Sequence, residues 1–141
     1  LVCPSMGQPR EEKDFKGSEV SEAVSRAHII CLTTNSSHPL FAGRSLAPGT
    51  HINGIGSYTS EMQEVDAATV LRARVVVDSS HALIAGDLAI PIKEGLIKED
   101  HIVGQLGDFI PEDVGRDQPA KALRLSRADI TFFKSVGTAV Q

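Results

Sequence analysis

HIICLTTNSSHPLFAGRSLAPGTHINGIG, residues 28–56, is the stretch on which the fold turns. Its opening, residues 28–34 (HIICLTT), is short, β-branched and apolar, and runs into the turn-forming Asn35, Ser36 and Ser37. That is the pattern of a buried strand. A loop containing Pro39, Gly43, Pro48 and Gly49 leads to residues 51–55 (HINGI), a second strand that closes in Gly54 and Gly56. Residues 74–78 (RVVVD) make a third strand. Its unbroken apolar character implies cover on both faces, as in parallel sheets flanked by helices. Residues 130–135 (ITFFKS) make a fourth.

Between the strands the period changes. Ser18 is placed to cap a helix whose first turn holds Glu19 and Glu22, favourable at the positive helix end. Val20, Ala23, Val24 and Ala27 then form one apolar face. Ser60 and Gln63 have capping-box spacing, and Asp66 is a cap for the stretch carrying Val70, Leu71 and Ala73. Residues 81–85 read as a helical turn stopped by Gly86, with Asp87 capping a turn before Pro91. Residues 100–110 read as a helix with Ile102, Val103, Leu106 and Ile110 on one side, weakened by Gly104 and Gly107. Residues 111–128 are an excursion or linker, and residues 1–16 a flexible arm or the remnant of an earlier element. The alternation of strand and helix is the rhythm of right-handed βαβ crossovers. The expected class is α/β, with a parallel sheet of three or four strands.

Composition narrows the function. The 141 residues carry a net charge of −4 with no basic cluster, which argues against nucleic acid, whose binding needs Lys and Arg against phosphates. The longest apolar runs are too short to cross a bilayer. Cys3 and Cys31 make neither a disulfide framework nor a paired zinc site, so a reduced, cytoplasmic setting is the expectation. Cys31 reads as an inert thiol among apolar neighbours. The five histidines are scattered without ligand spacing, so no metal is expected, and His51 is read as packing at a strand start. The chain opens at Leu1 and stops at Gln141 just after an apparent strand, so both ends read as cut.

Residues 30–41 (ICLTTNSSHPLF), 48–66 (PGTHINGIGSYTSEMQEVD), 74–79 (RVVVDS), 86–107 (GDLAIPIKEGLIKEDHIVGQLG) and 132–141 (FFKSVGTAVQ) occur in an order and spacing that matter together. The set resembles the C-terminal half of the NAD(P)-binding domain of the ornithine cyclodeaminase/mu-crystallin family, over roughly residues 17–141. The resemblance implies a partial Rossmann-type sheet with NAD or NADP as cofactor. It also implies a cyclic imine or amino acid as small-molecule substrate of the intact protein, and assembly as a homo-oligomer. Thr33 and Thr34 match cofactor-contacting positions, and Asn35 follows them at the carboxyl end of the same strand, where dinucleotides lie in doubly wound sheets. Ile55 and Gly56 match a position beside the nicotinamide ring, and Ser135 a serine near its carboxamide.

Departures from the family pattern set the expectations for activity. The Gly-rich phosphate turn G-x-G-x-x-G is absent, since Gly54-x-Gly56 runs on to Thr59 and follows the wrong strand. The lysine and arginine that hold the substrate carboxylate in the family are not matched. The acidic residue of the cyclodeaminases falls at Tyr58, which resembles the ketimine-reductase branch. An incomplete dinucleotide-binding domain over residues 17–141, poorly active alone, is the expectation; a non-catalytic ligand-binding or assembly module of the same family is the alternative.

Overall fold

The computed structural model describes residues 17–109 and 122–137. Helix α1 (Gly17–Arg26) leads into strand β1 (Ile29–Leu32), and a long loop into β2 (His51–Gly54). Then come α2 (Ala67–Arg72), β3 (Ala73–Val77), α3 (Gly86–Lys93), β4 (Ile102–Gln105) and β5 (Ile130–Lys134). The strands form one sheet in the order β1-β2-β5-β3-β4, and every pairing is parallel. The chain thus returns at its end to place β5 in the centre, between β2 and β3.

The α/β class and the parallel sheet agree with the sequence reading, but among the described residues the sheet has five strands. The extra one is β4, which lies within the stretch read as a helix over residues 100–110. Two short elements produced that false period: strand 102–105 and a 3-10 turn, Leu106–Phe109. Ile102 and Val103 are β-branched and Gly104 disfavours helix. Pairing with β3, Val75 against Ile102 and Val77 against Gln105, satisfies the backbone instead. Ile110, the whole of the arm 1–16 and most of the excursion 111–128 lie outside the described residues. Of that excursion, residues 122–128 follow an irregular path tied to the sheet by Arg74, whose Nε donates to the Leu123 carbonyl at 2.6 Å.

Three local expectations also change. α1 begins at Gly17, so Ser18 falls inside its first turn rather than ahead of it. Ser60 and Gln63 cap no helix: the Gln63 amide donates to the Ser36 carbonyl at 2.8 Å, tying two loops together. The helical turn expected over residues 81–85 is a 3-10 turn, Ser80–Ile84, and Gly86 beyond it opens α3 in a place where a Cβ would meet the Met62 carbonyl oxygen at 2.3 Å.

Asp66 does cap α2. Its Oδ1 accepts from the Thr69 amide and hydroxyl, both at 2.8 Å, while Oδ2 accepts from the Gly43 amide at 2.9 Å. One carboxylate therefore anchors both the helix and the loop between β1 and β2. Asp66→Ala is expected to lower stability by about 1–2 kcal/mol, read as a shift in the urea midpoint at unchanged slope.

The core lies under the central strands, where Ile52, Val75 and Phe132 have no exposed surface. Val24 of α1 joins it, with Val20 and Ala27 packed alongside, whereas Ala23 of the expected apolar face is exposed. The edge strand β1 alternates, with Ile30 and Leu32 buried while Ile29 is 66% exposed. Cys31 follows Ile29 and is exposed, not shielded by apolar neighbours. His51 opens β2 as expected but does more than pack: its ring nitrogens contact Thr131 Oγ1 at 2.8 Å and Asn53 Oδ1 at 3.1 Å.

Candidate functional site

Leu32, Gly54, Lys134 and Val77 are register partners across β1, β2, β5 and β3. The residues that follow them, Thr33, Ile55, Ser135 and Asp78, therefore line up at the carboxyl edge of the sheet. The ladder continues into this row: the Ile55 amide donates to Leu32 O at 2.9 Å, Ser135 to Gly54 O at 3.0 Å and Asp78 to Lys134 O at 3.1 Å. Parallel strands thus bring together four segments that the chain separates by up to about a hundred residues.

The candidate residues are not equally accessible. Thr33, Thr34 and Asn35 are exposed, as is Ile55 at 39%, and Tyr58 beyond it is 55% exposed. Ser135 is fully buried; its hydroxyl donates to Asp78 Oδ2 at 2.7 Å and accepts from the Gly137 amide at 3.0 Å. Gly56 is required by its own neighbours, since a Cβ there would stand 2.0 Å from the Thr34 carbonyl oxygen and 2.6 Å from Glu64 Oε1.

Beneath the rim lies a set of charged groups with no exposed surface: Glu64, Asp87 and Lys134. The Glu64 carboxylate accepts four hydrogen bonds. Oε1 takes the Thr34 amide and hydroxyl, at 2.6 and 2.8 Å; Oε2 takes the Gly56 and Ser57 amides, at 2.9 and 3.1 Å. That fills the acceptor capacity of a carboxylate and pins the tip of β1 to the loop after β2. Asp78 does the same for the other pair of tips, its Oδ2 accepting from Ser135 Oγ and, at 3.0 Å, from the Val136 amide.

Asp87 caps no turn before Pro91. Its Oδ1 accepts from the Glu64 and Val65 amides at 2.6 and 3.0 Å, and Oδ2 faces Lys134 Nζ at 3.4 Å. Lys134 Nζ also donates to Gly54 O at 3.1 Å. Burial pushes the Asp87 carboxyl above its ordinary range and the Lys134 amine below its own, each countered in part by the other's charge.

Glu64 and Lys134 were not singled out from the sequence, and Asp87 was read only as a turn cap. One signal was available. A lysine at the end of a strand expected to be covered on both faces needs a buried acid partner, and both Glu64 and Asp87 stand beside apolar residues.

An all-parallel α/β sheet with hydroxyl-bearing loops gathered at the carboxyl ends of its strands has the layout of a dinucleotide-binding domain. Comparison with known proteins agrees. Residues 15–141 match the ornithine cyclodeaminase/mu-crystallin family. A Delta(1)-pyrroline-2-carboxylate reductase of Colwellia psychrerythraea is 42% identical over 129 residues, which are 89% of this chain and 39% of that protein. Among solved structures, the Thermococcus litoralis Delta(1)-pyrroline-2-carboxylate reductase in complex with NADH and L-proline superposes with a TM-score of 0.71 at 34% identity. That match covers 83% of this chain and 35% of the archaeal one. An archaeal alanine dehydrogenase dimer with bound NAD gives the same TM-score at 30% identity, covering 85% and 35%.

The chain belongs to the ornithine cyclodeaminase/mu-crystallin family, and its fold is Rossmann-like. It spans little more than a third of the length of these relatives. Among the described residues no helix is long and apolar enough to cross a membrane.

Proposed function

We propose that these residues form the nicotinamide-facing part of an NAD(P)-dependent oxidoreductase that reduces a cyclic imine of the pyrroline-2-carboxylate kind. The observation that carries this reading is the single row made by Thr33, Ile55 and Ser135 at the carboxyl edge of three adjacent strands. The similarity to reductases of that substrate supports the imine. Tyr58, exposed and uncharged where cyclodeaminases have an acid, favours imine reduction over deaminating cyclisation.

The rim fits the nicotinamide half of a dinucleotide. Ile55 offers an apolar surface for a flat ring, and Thr33, Thr34 and Asn35 beside it offer polar atoms for a carboxamide. Ser135, enclosed and bonded to Asp78, sets the shape of the rim between β5 and β3. When bound, the cofactor supplies the hydride; the protein's part is to orient the ring and keep the rim rigid. The diphosphate half finds no Gly-rich turn within these 141 residues. Binding is therefore weak and turnover slow, because positioning provides much of an enzyme's rate. Self-association is part of the same reading, with the exposed Ile29 of β1, the edge strand among the described residues, as its apolar contact.

The test is equilibrium titration of the 141-residue chain with NADH, read by nicotinamide fluorescence, followed by addition of pyrroline-2-carboxylate. A saturable signal in the millimolar range and slow loss of reduced-nicotinamide absorbance are expected. No fluorescence change at that concentration would favour the assembly module instead. Fast turnover would contradict the weak positioning argued above.

A further inference from the structure

Glu64 does more than join two strand tips. Its Oε1 accepts a hydrogen bond from the Thr34 hydroxyl at 2.8 Å. A hydroxyl has one hydrogen and two lone pairs. With the hydrogen committed to Glu64 and one lone pair accepting the Ser36 amide at 3.3 Å, the oxygen has one free site, and that site can only accept. Thr34 is itself exposed, so its part-buried hydroxyl stands at the boundary between the enclosed Glu64 carboxylate and the surface of the rim. The hydroxyl cannot rotate its hydrogen outward without leaving Oε1 one bond short inside a group with no exposed surface, which is costly for a buried carboxylate.

We infer that Glu64 is the specificity-determining residue of this rim. By holding Thr34 as a pure acceptor, it selects a ligand that presents an N–H donor, the amide of a nicotinamide, over one that presents a carboxylate. The inference rests on the nicotinamide reading above and deepens it. Its ground is the four-bond geometry of Glu64 together with the exposure of Thr34. Asp87 supports the arrangement from below by accepting the Glu64 amide at 2.6 Å, which makes it a positioning residue for Glu64.

Replacement with glutamine has a definite consequence. An amide nitrogen at the Oε2 position would face two backbone N–H groups, those of Gly56 and Ser57; at the Oε1 position it would face one, that of Thr34, and the Thr34 hydroxyl can reverse to accept from it. The second orientation is less costly. It frees the Thr34 hydrogen to point outward and so reverses the polarity of the rim.

The experiment compares NADH with reduced nicotinic acid adenine dinucleotide, which carries a carboxylate in place of the amide and is otherwise identical. Both are titrated into the 141-residue chain, and the ratio of the two dissociation constants is the readout. The wild-type chain is expected to prefer NADH by about tenfold or more, the size of one mismatched hydrogen bond at a partly enclosed site. Glu64→Gln should bring the ratio close to one or invert it. Thr34→Val should also bring it close to one while leaving the Glu64 charge in place, which separates the hydroxyl's effect from simple repulsion of the acid. Thr34→Ser should restore the wild-type preference.

A purely structural role for Glu64 would weaken both ligands equally and leave the ratio unchanged; that result overturns the inference. So does a wild-type chain that binds the two ligands equally, even though the nicotinamide reading then stands. If the wild-type chain binds neither, the nicotinamide reading falls and this inference with it.

Discussion

Replacing Phe132 with alanine is expected to remove about 3–5 kcal/mol of stability, enough to unfold a large share of a domain whose total is on the order of 5–15 kcal/mol. Among the described residues Phe132 is the largest side chain with no exposed surface, and it sits on β5, between Ile52 of β2 and Val75 of β3. Truncation removes its contacts and leaves a cavity where two neighbouring strands bear on it. The same ring makes Gly54 obligatory, since a Cβ at Gly54 would lie 2.6 Å from Phe132 Cε2. Gly54→Ala is therefore destabilising by overpacking, and Gly54→Ala with Phe132→Leu should be less so than the sum of the two single changes. Chemical denaturation followed by circular dichroism measures all four corners of that cycle. A loss of under 1 kcal/mol for Phe132→Ala would mean that the centre of the sheet is not packed as described.

The cluster around Phe132 shows which parts of the fold could be read in advance. Val75, Val76 and Val77 form an unbroken β-branched run, and only a strand covered on both faces accommodates one. The strands at Ile30, Ile52 and Phe132 were legible for related reasons, and Asp66 was legible as a cap because its chemistry is local. β4 was not. Its apolar residues share a helical period with the turn that follows, and only the open edge of β3 decides between the two. The position of β5 in the centre of the sheet likewise depends on pairing between distant segments, which no local pattern carries.

The rim was legible through family resemblance, not through spacing. Thr33, Thr34, Asn35, Ile55 and Gly56 fell at two adjacent strand tips, and Ser135 fell on the third strand but buried. The groups beneath it were invisible. Glu64 and Asp87 lie in or beside loops, where an acid is ordinarily solvated. Their burial follows from Lys134 arriving from the far end of the chain, and from backbone amides that converge only after folding.

That convergence makes Lys134 and Asp87 the second site of large effect. Lys134→Ala is expected to cost about 3–5 kcal/mol, the range for breaking a buried ion pair by removing one partner. It leaves Asp87 Oδ2, which has no hydrogen bond among the described residues, without the ammonium that faces it, and it removes a donor from the Gly54 carbonyl. Asp87→Ala should be at least as damaging, because the Glu64 and Val65 amides lose their acceptor as well. The pair Lys134→Met with Asp87→Asn is expected to recover most of that loss. Asparagine keeps an oxygen for the two amides, and neither side chain then carries a charge that needs a partner.

The pH dependence separates burial of charge from loss of packing. The Lys134 amine titrates below its ordinary 10.5 in the folded protein because burial disfavours its charge. In the window just below 10.5 the unfolded chain therefore binds more protons, and stability contributed at this residue rises as pH rises through it. The Asp87 carboxyl titrates above its ordinary 3.8, so just above that value the folded protein holds the extra proton, and stability falls as pH rises. Lys134→Met should abolish the alkaline rise relative to wild type, and Asp87→Asn the acid-side fall. If Lys134→Met unfolds at the same denaturant concentration as wild type at every pH, the lysine is not buried and its pairing with Asp87 does not hold the strand tips in place.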